Sequence, residues 1–221
     1  MPHLDQRLKV VAQQIRCVTH ADIGSDHGHL LKALLASGRI QRGIAIENKR
    51  QPYENSRSTL TGFNADVRLA DGLEGLDAGE ADSLSICGMG GELIVRILDA
   101  HPDRVPATAI IQPNRRPERV REWALRTGYH LTHETTAQGH WRYIILRFER
   151  PKTTEQSGQV HPDPAYKGLD REAALLFGPH LLRHFSNDFA ESLEQERRYL
   201  RSLPRLAADA VRRLEVIDRI L

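Results

Sequence analysis

Two aspartates and two glycines lie close together in residues 22–28 of this sequence, Asp-Ile-Gly-Ser-Asp-His-Gly. The residues before Asp22 and after His29 are apolar, so the stretch is predicted to lead from a strand into a helix. Gly24 and Gly28 permit a left-handed backbone and close approach of a ligand, and the first amides of the new helix point outward. The stretch is therefore predicted to be a ligand-binding loop.

The charge of this loop restricts its ligand. A nicotinamide cofactor rests its pyrophosphate on a G-x-G-x-x-G loop, but here Asp26 replaces the middle glycine and places a negative charge where phosphate would lie. S-Adenosylmethionine (S-adenosyl-L-methionine) has no phosphate and carries a sulfonium cation, which carboxylates stabilise. The acidic-x-Gly-x-x-x-Gly spacing therefore favours this cofactor. The predicted contacts from the loop are Asp22, Gly24, Ser25, His27 and Gly28.

Acidic residues recur where two later strands are predicted to end. Glu47 closes a strand predicted at 43–47, and Asp71 follows a strand predicted at 65–69. In nucleotide-binding folds, an acidic residue at the tip of the second strand accepts hydrogen bonds from ribose hydroxyls. We therefore predict that both carboxylates bind the cofactor. The predicted cofactor site also includes Asn48, Gly72, Gly88, Met89 and Gly90.

Strands alternate with helices along residues 1–150, and the residues with possible chemistry fall at the carboxyl ends of strands. This order predicts an α/β fold with a mostly parallel sheet, helices on both faces and an antiparallel last strand. The predicted strands are 18–23, 43–47, 65–69, one within 82–91, 107–114, 129–134 and 141–149. The predicted helices are 4–16, one from Leu30 to Gly38, 52–61, one after Gly91 with Leu93 facing inward, and 117–127. Arg7, on the first helix, is expected to face solvent.

The last third of the chain has a different pattern. Residues 151–168 are rich in proline, glycine and polar residues and are predicted to be a linker. In residues 169–221, apolar side chains from Leu182 onward recur at alternating three- and four-residue steps, which is typical of a coiled coil. Pro204 interrupts the pattern, so we expect an antiparallel hairpin of two helices. Association of these helices between chains, giving a dimer instead of a monomer, is the alternative.

Composition excludes several classes of protein. Hydrophobic residues make up 40% of the 221 residues and charged residues 27%, as in soluble globular proteins. No apolar run approaches the ~20 residues that span a bilayer, and the charged N-terminus does not suit a signal peptide, so we expect a cytoplasmic protein. Cys17 and Cys87 are too few for a disulfide framework or a zinc site. His27 and His29 are expected to diverge, and no metal site is predicted.

Four segments together resemble the bacterial tRNA (adenine-22-N1)-methyltransferases: ADIGSDHGHL at 21–30, ADGL at 70–73, ICGMGGELI at 86–94 and IIQPN at 110–114. The resemblance continues through GPHLL at 178–182 and the helical tail. It implies a Rossmann-like class I methyltransferase domain with a C-terminal coiled-coil hairpin. It also implies S-adenosylmethionine as methyl donor and tRNA as substrate, methylated on N1 of an adenine in the D-arm region.

The residues after the fourth strand agree with a ring nitrogen as acceptor. Methyltransferases that act on exocyclic amines usually carry Asn/Asp-Pro-Pro-aromatic there, whereas this chain has Gly-Met-Gly-Gly at 88–91. N1 of adenine has an in-plane lone pair and can attack the methyl group without a strong base, so catalysis would depend on positioning and electrostatics. Asp26 is the candidate for stabilising the cationic product, and Asn114 for holding a base edge.

A basic segment follows this predicted site. Residues 112–152 carry 9 Lys and Arg against 4 Asp and Glu, a net charge of +5. Because folded RNA is bound mainly through its phosphates and shape, these cations are predicted to position tRNA. The predicted RNA contacts are Lys49, Arg50, Arg115, Arg116 and Arg119, and Arg121 belongs to the same cluster. The alternatives are a methyltransferase acting on a small molecule or protein, and a non-catalytic RNA-binding or coiled-coil protein that keeps the fold.

Overall fold

The computed structural model describes residues 4–139, 142–151 and 162–221. The chain divides into two compact units at residues 162 and 163. The second unit begins inside the predicted linker, and its first element is a short 3-10 helix, Pro164–Tyr166. Residues 152–161 of the predicted linker lie outside the described residues.

The first unit is built on a seven-stranded sheet with the order β3-β2-β1-β4-β5-β7-β6. Strands β1 to β5 pair in parallel, and β7 runs antiparallel to both β5 and β6. This is the predicted Rossmann-like sheet with its antiparallel end. The strands are β1 Thr19–Ile23, β2 Arg42–Glu47, β3 Ala65–Leu69, β4 Ser83–Gly90, β5 Thr108–Arg115, β6 His130–Ala137 and β7 Tyr143–Glu149.

Five α-helices of this unit connect or precede the strands, and local signals set their ends. The carboxylate of Asp5 caps the first helix by accepting a hydrogen bond from the Leu8 amide at 2.7 Å. Proline at position 117 begins the fifth helix, and Gly128 ends it in a left-handed conformation with φ 76°. The helices are α1 Gln6–Gln13, α2 His29–Ala36, α3 Arg50–Thr59, α4 Gly91–Ala100 and α5 Pro117–Thr127.

Helix α4 starts in close contact with the turn before α5. A Cβ atom on Gly91 would lie 2.2 Å from the carbonyl oxygen of Arg116, so only glycine fits there. Ile94 and Leu98 are fully buried below it. The prediction that Leu93 faces inward is wrong, because its side chain is 40% exposed. The contact at Gly91 brings the carboxyl ends of β4 and β5 together, where the predicted site lies.

The second unit contains four α-helices within the described residues: α6 Arg171–Phe177, α7 Pro179–His184, α8 Asn187–Ser202 and α9 Ala208–Ile220. Pro204 falls between α8 and α9, as predicted. The buried core combines Leu193 and Leu200 of α8, Val216 and Ile217 of α9, and Phe177 of α6. The two long helices therefore share their core with a third, shorter helix.

The apolar seam predicted from Leu182 onward is wrong at Phe185. This residue follows the end of α7, has a φ of 26° and is 39% exposed. Ser186 then caps α8 by accepting from the amide of Phe189. Glu196, a polar residue that falls at an apolar position of the three- and four-residue spacing, is paired with Arg213 at 3.0 Å. No helix within the described ranges is both long and apolar enough to cross a membrane.

Candidate active site

A cavity of about 390 Å³ lies at the carboxyl ends of β1, β2 and β4. Its volume falls within the ~300–1,000 Å³ of typical small-molecule sites. The parallel strands bring together residues that are far apart in sequence. The lining includes these predicted cofactor and catalytic residues: Asp22, Gly24, Ser25, Asp26, His27, Glu47, Asn48, Gly88 and Met89.

The loop after β1 has three left-handed residues, Gly24, Asp26 and Gly28, with φ values of 72°, 57° and 68°. Its first turn is held against β2 by a hydrogen bond of 2.8 Å from the Gly24 amide to the Ile46 carbonyl. A Cβ atom on Gly24 would lie only 2.3 Å from Cε of Met89. A side chain at position 24 would therefore displace the end of the Met89 side chain, which lines the cavity.

Glu47, at the tip of β2, is 5% exposed and accepts a hydrogen bond from the backbone amide of Asp26. Burial raises the pKa of Glu47 to about 7; the hydrogen bond from Asp26 opposes this, and the charges of Asp22 and Asp26 add to it. Its protonation therefore changes near neutral pH. The carboxylate of Asp26 itself is 72% exposed and lies 3.7 Å from Nε2 of His27.

Asp22, at the end of β1, is only 4% exposed. Its carboxylate accepts a hydrogen bond of 2.6 Å from the Ser85 hydroxyl. Burial raises the pKa of Asp22, while hydrogen bonding by Ser85 and Ser25 and the charge of Arg7 lower it. The Ser25 hydroxyl is buried beside this carboxylate.

Arg7 is a site residue that sequence reasoning missed, and the prediction that it faces solvent is wrong. Its side chain is 21% exposed, and its guanidinium lines the cavity. Nη1 donates to Oε1 of Gln112 at 2.7 Å, and the guanidinium lies 5.7 Å from the centre of the Tyr143 ring. The polar face of α1 gave no sign of this, because the contact depends on how α1 packs against α2, β6 and β7.

Gln112 and Asn114 of β5 hold the backbone of Gly88 from two sides. Oε1 of Gln112 accepts from the Gly88 amide at 3.1 Å, and Nδ2 of Asn114 donates to the Gly88 carbonyl at 2.6 Å. The two side chains are linked by a hydrogen bond of 3.1 Å from Gln112 Nε2 to Asn114 Oδ1. Asn114 therefore reaches the cavity through Gly88, which lines it.

The other predicted cofactor residues lie around the cavity and not in its lining. Asp71 accepts a hydrogen bond of 3.0 Å from Asn48, a lining residue. Gly28 is the N-cap of α2, Gly90 is the N-cap of α4, and Gly72 packs against Ile97. Asp71 thus contacts a lining residue through its side chain, whereas the three glycines shape the backbone around the cavity.

His27 and His29 do not diverge as expected. Their rings stack with centroids 5.5 Å apart and an angle of 20° between the planes. Among residues 4–139, 142–151 and 162–221, no group of three or more His, Cys, Asp or Glu side chains is arranged to hold a metal ion. Cys17 and Cys87 are free thiols.

The predicted RNA-binding cations have different surroundings. Lys49 lines the cavity, and Arg115 is exposed at the end of β5. Arg121 does not belong to an exposed cluster, because it is fully buried and paired with buried Glu134 at 2.6 Å. The other predicted cations form local ion pairs: Arg50 with Glu54 at 2.8 Å, Arg116 with Glu118 at 2.6 Å and Arg119 with Glu122 at 3.1 Å.

Comparison with known proteins gives consistent matches. Residues 20–217 match the TrmK family model, described as tRNA (adenine(22)-N(1))-methyltransferase. The Bacillus subtilis (strain 168) protein of that name is 32% identical over 208 residues, which cover 90% of this chain and 84% of the relative.

Solved structures that resemble this chain include members of the same family. The crystal structure of the B. subtilis m1A22 tRNA methyltransferase TrmK matches with a TM-score of 0.83 and 29% identity, covering 100% of this chain and 97% of that one. A Streptococcus pneumoniae protein, a proposed tRNA (m1A22) methyltransferase in complex with S-adenosyl-L-methionine, matches with a TM-score of 0.83 and 26% identity, covering 99% of this chain and 100% of that one. The chain therefore belongs to the TrmK family of tRNA (adenine(22)-N(1))-methyltransferases, which its sequence motifs resemble.

Proposed function

We infer that this protein transfers a methyl group from S-adenosylmethionine to N1 of adenine 22 in tRNA. The observation that carries the inference is the family match over residues 20–217, which includes every strand of the sheet except the first residue of β1. The residues around the cavity are compatible with this activity. The B. subtilis relative is named for the same reaction, and the S. pneumoniae protein was crystallised with this cofactor.

The cavity suits S-adenosylmethionine better than a phosphate-containing cofactor. Three carboxylates lie in its wall, those of Asp22, Asp26 and Glu47, against two cations, Arg7 and Lys49. This excess of acidic groups suits a sulfonium cation better than a phosphate. We assign Glu47 to the ribose hydroxyls, with Asn48 and Asp71 beside it. When bound, the cofactor supplies an electrophilic methyl group on a cationic sulfur.

The protein residues would act mainly by positioning. The Gly88 backbone is fixed by Gln112 and Asn114, and Gln112 is in turn held by Arg7. The Asn114 amide nitrogen donates one hydrogen to Gly88 and has a second one, which we assign to the edge of the target adenine. We assign Asp26 to the positive charge that N1 gains on methylation, because its carboxylate is exposed at the cavity.

We propose that tRNA phosphates contact Lys49, Arg50, Arg115, Arg116 and Arg119. Lys49 lines the cavity, and Arg115 follows Asn114 directly, so both lie beside the proposed reaction centre. We also propose that the protein acts as a monomer and works in the cytoplasm, where its tRNA substrate would be modified.

Methylation of two matched tRNA transcripts tests the proposed function. One transcript carries adenine at position 22 and the other carries guanine there; both are incubated with methyl-labelled S-adenosylmethionine and digested to nucleosides. We expect 1-methyladenosine from the first transcript only. Absence of 1-methyladenosine, or equal amounts from both transcripts, would contradict the proposal. Label recovered in protein instead of RNA would indicate the alternative methyltransferase class.

A further inference from the structure

A chain of polar side chains runs beneath the cavity between β1 and β4. His20 is fully buried, with Nδ1 2.7 Å from the Ser83 hydroxyl and Nε2 2.9 Å from the Ser85 hydroxyl. Ser85 donates to Asp22 at 2.6 Å. At the other end of this series of hydrogen-bonded side chains, Sγ of Cys17 lies 3.1 Å from the Ser83 hydroxyl. None of these contacts except the one to Asp22 belongs to the proposed reaction.

The hydrogen bonds between these side chains have a preferred donor-to-acceptor direction. An ionised Asp22 only accepts, so the Ser85 hydroxyl donates to it and the Ser85 oxygen is left to accept from Nε2–H of His20. Burial lowers the pKa of His20 to about 3, so its imidazole is neutral and carries one hydrogen. With that hydrogen on Nε2, Nδ1 accepts from Ser83. The Cys17 thiol can donate to the Ser83 oxygen or to the Thr19 carbonyl, which is 3.4 Å away. From Ser83 onward, every hydrogen bond then points toward Asp22.

The opposite tautomer would change the cavity wall. With the hydrogen on Nδ1, Nε2 of His20 becomes an acceptor and competes with Asp22 for the Ser85 hydroxyl. Asp22 would then lose a donor while remaining buried, and hydrogen bonds to charged groups contribute more than those between neutral groups. The Ser83 hydroxyl can donate to Nδ1 or accept from it, so the tautomer is selected through Ser85 and Asp22; Ser83 then donates to Nδ1 and stabilises the Nε2–H form.

We propose that His20 is a positioning residue for cofactor binding: Ser83 holds it as the Nε2–H tautomer, and it keeps the Ser85 hydroxyl directed at Asp22. Asp22 is thereby presented to a cationic ligand as an oriented carboxylate. The proposal rests on the proposed role of Asp22 in binding S-adenosylmethionine. It adds that two residues outside the cavity lining, His20 and Ser83, set the affinity of the site.

The test combines cofactor affinity with the tautomer of His20. Affinity for S-adenosylmethionine is measured by calorimetry, and the tautomer by ¹⁵N NMR of histidine-labelled protein, with the His20 signal assigned from its loss in His20→Gln. We expect the Nε2–H form in the wild type and a shift toward Nδ1–H in Ser83→Ala. Ser85→Ala and His20→Met are expected to weaken affinity about tenfold, and Ser83→Ala about threefold.

His20→Gln is the conservative rescue, since its amide nitrogen can donate to Ser85 in place of Nε2. We expect it to keep near wild-type affinity, and we expect Ser83→Ala to have no further effect in that background, because the two residues act through one path. Should His20→Met fail to fold, Ser83→Ala carries the test, as it removes one oxygen atom and leaves the imidazole in place.

The outcomes separate the two proposals. If Asp22→Asn leaves cofactor affinity unchanged, the role of Asp22 is wrong. If Asp22→Asn weakens binding while Ser83→Ala changes neither the tautomer nor the affinity, the positioning role of His20 is overturned and the cofactor site stands. A purely structural role predicts lower thermal stability in Ser83→Ala with an unchanged tautomer.

Discussion

The charge of Glu47 depends on pH near neutrality. Its pKa is raised to about 7 by burial, yet the proposed contact with ribose hydroxyls uses its ionised form. Cofactor binding must then displace a proton below pH 7. We expect the affinity for S-adenosylmethionine to fall as the pH is lowered below 7, by up to about tenfold per pH unit for a single proton.

Calorimetric titrations between pH 5.5 and 8.5 measure this dependence. The matched control is Glu47→Gln, which keeps an acceptor for the Asp26 amide and does not titrate. Its affinity should be lower at pH 8 and nearly constant over this range. A slope in Glu47→Gln equal to that of the wild type would assign the proton to another group, such as a histidine.

The same raised pKa predicts an opposite effect on stability. Between the ordinary value of 4.5 and about 7, the folded protein holds a proton on Glu47 that the unfolded chain has lost, so stability falls as the pH rises through this window. Above pH 7 the ionised carboxylate remains buried. In thermal unfolding without ligand, Glu47→Gln is therefore expected to be more stable than the wild type at pH 8 and equal to it at pH 4. A wild type more stable at pH 8 would contradict this.

Replacing Asp26 with asparagine tests the electrostatic part of the proposed reaction. Its φ of 57° lies in the left-handed region, which asparagine tolerates better than alanine, so Asp26→Asn removes the charge with little change to the backbone. We expect kcat for tRNA methylation to fall about threefold to tenfold, with cofactor affinity changing less. Single-turnover kinetics and calorimetry separate the two quantities. Full turnover with unchanged affinity would remove Asp26 from the reaction.

At the scale of elements, the side chain of Met89 at the end of β4 packs against the loop after β1. Gly24→Ala would strain a φ of 72° and place a Cβ atom 2.3 Å from Cε of Met89, so that this side chain must move within the cavity wall. Gly79→Ala is a matched control, because Gly79 has a φ of 73° and nothing within 4 Å of its Cβ position. Both variants should lose stability, by about 1–2 kcal/mol from the backbone, and only Gly24→Ala should also weaken cofactor binding, by tenfold or more. Equal cofactor affinity in the two variants would contradict the contact with Met89.

Elements whose signals are local were predicted closely. The strand at 65–69 and the helix at 117–127 match their predicted bounds, because alternation, proline and glycine define them within a few residues. The carboxyl-end positions of Asp22 and Glu47 follow from the same local pattern. Their grouping around one cavity then follows from parallel pairing.

Features that depend on contacts between elements were missed. Arg7 reaches Gln112 at the cavity because α1 packs against α2, β6 and β7, and Arg121 is buried because β6 brings Glu134 to it. The hydrogen bond from Ser85 to Asp22 depends on the pairing of β4 with β1, where these two residues are register partners. Neither hydrophobic periodicity nor motif spacing contains this information.

At the scale of the whole molecule, the basic charge is concentrated in one segment. Residues 112–152 have a net charge of +5 in a chain whose formal net charge is +2. Phosphate contacts dominate the affinity of proteins for nucleic acids and make it depend on salt. The distribution of charge therefore predicts that tRNA affinity is more sensitive to where a cation is removed than to how many are removed.

Two positions on α5 test this with the same change of charge. Arg119, near the start of the helix, and Arg126, near its end, are 44% and 59% exposed, and each forms one ion pair, with Glu122 and with Asp99. Arg115→Glu with Arg119→Glu is expected to weaken tRNA binding about tenfold and to reduce the slope of log affinity against log salt by about 0.7–0.9 for each phosphate that is no longer neutralised. Arg119→Glu alone should weaken binding more than Arg126→Glu, and cofactor affinity should stay constant in all variants. Filter binding at several salt concentrations measures these affinities. Equal effects of Arg119→Glu and Arg126→Glu would mean that net charge alone controls binding. The strand-end edge would then have no special role in holding tRNA.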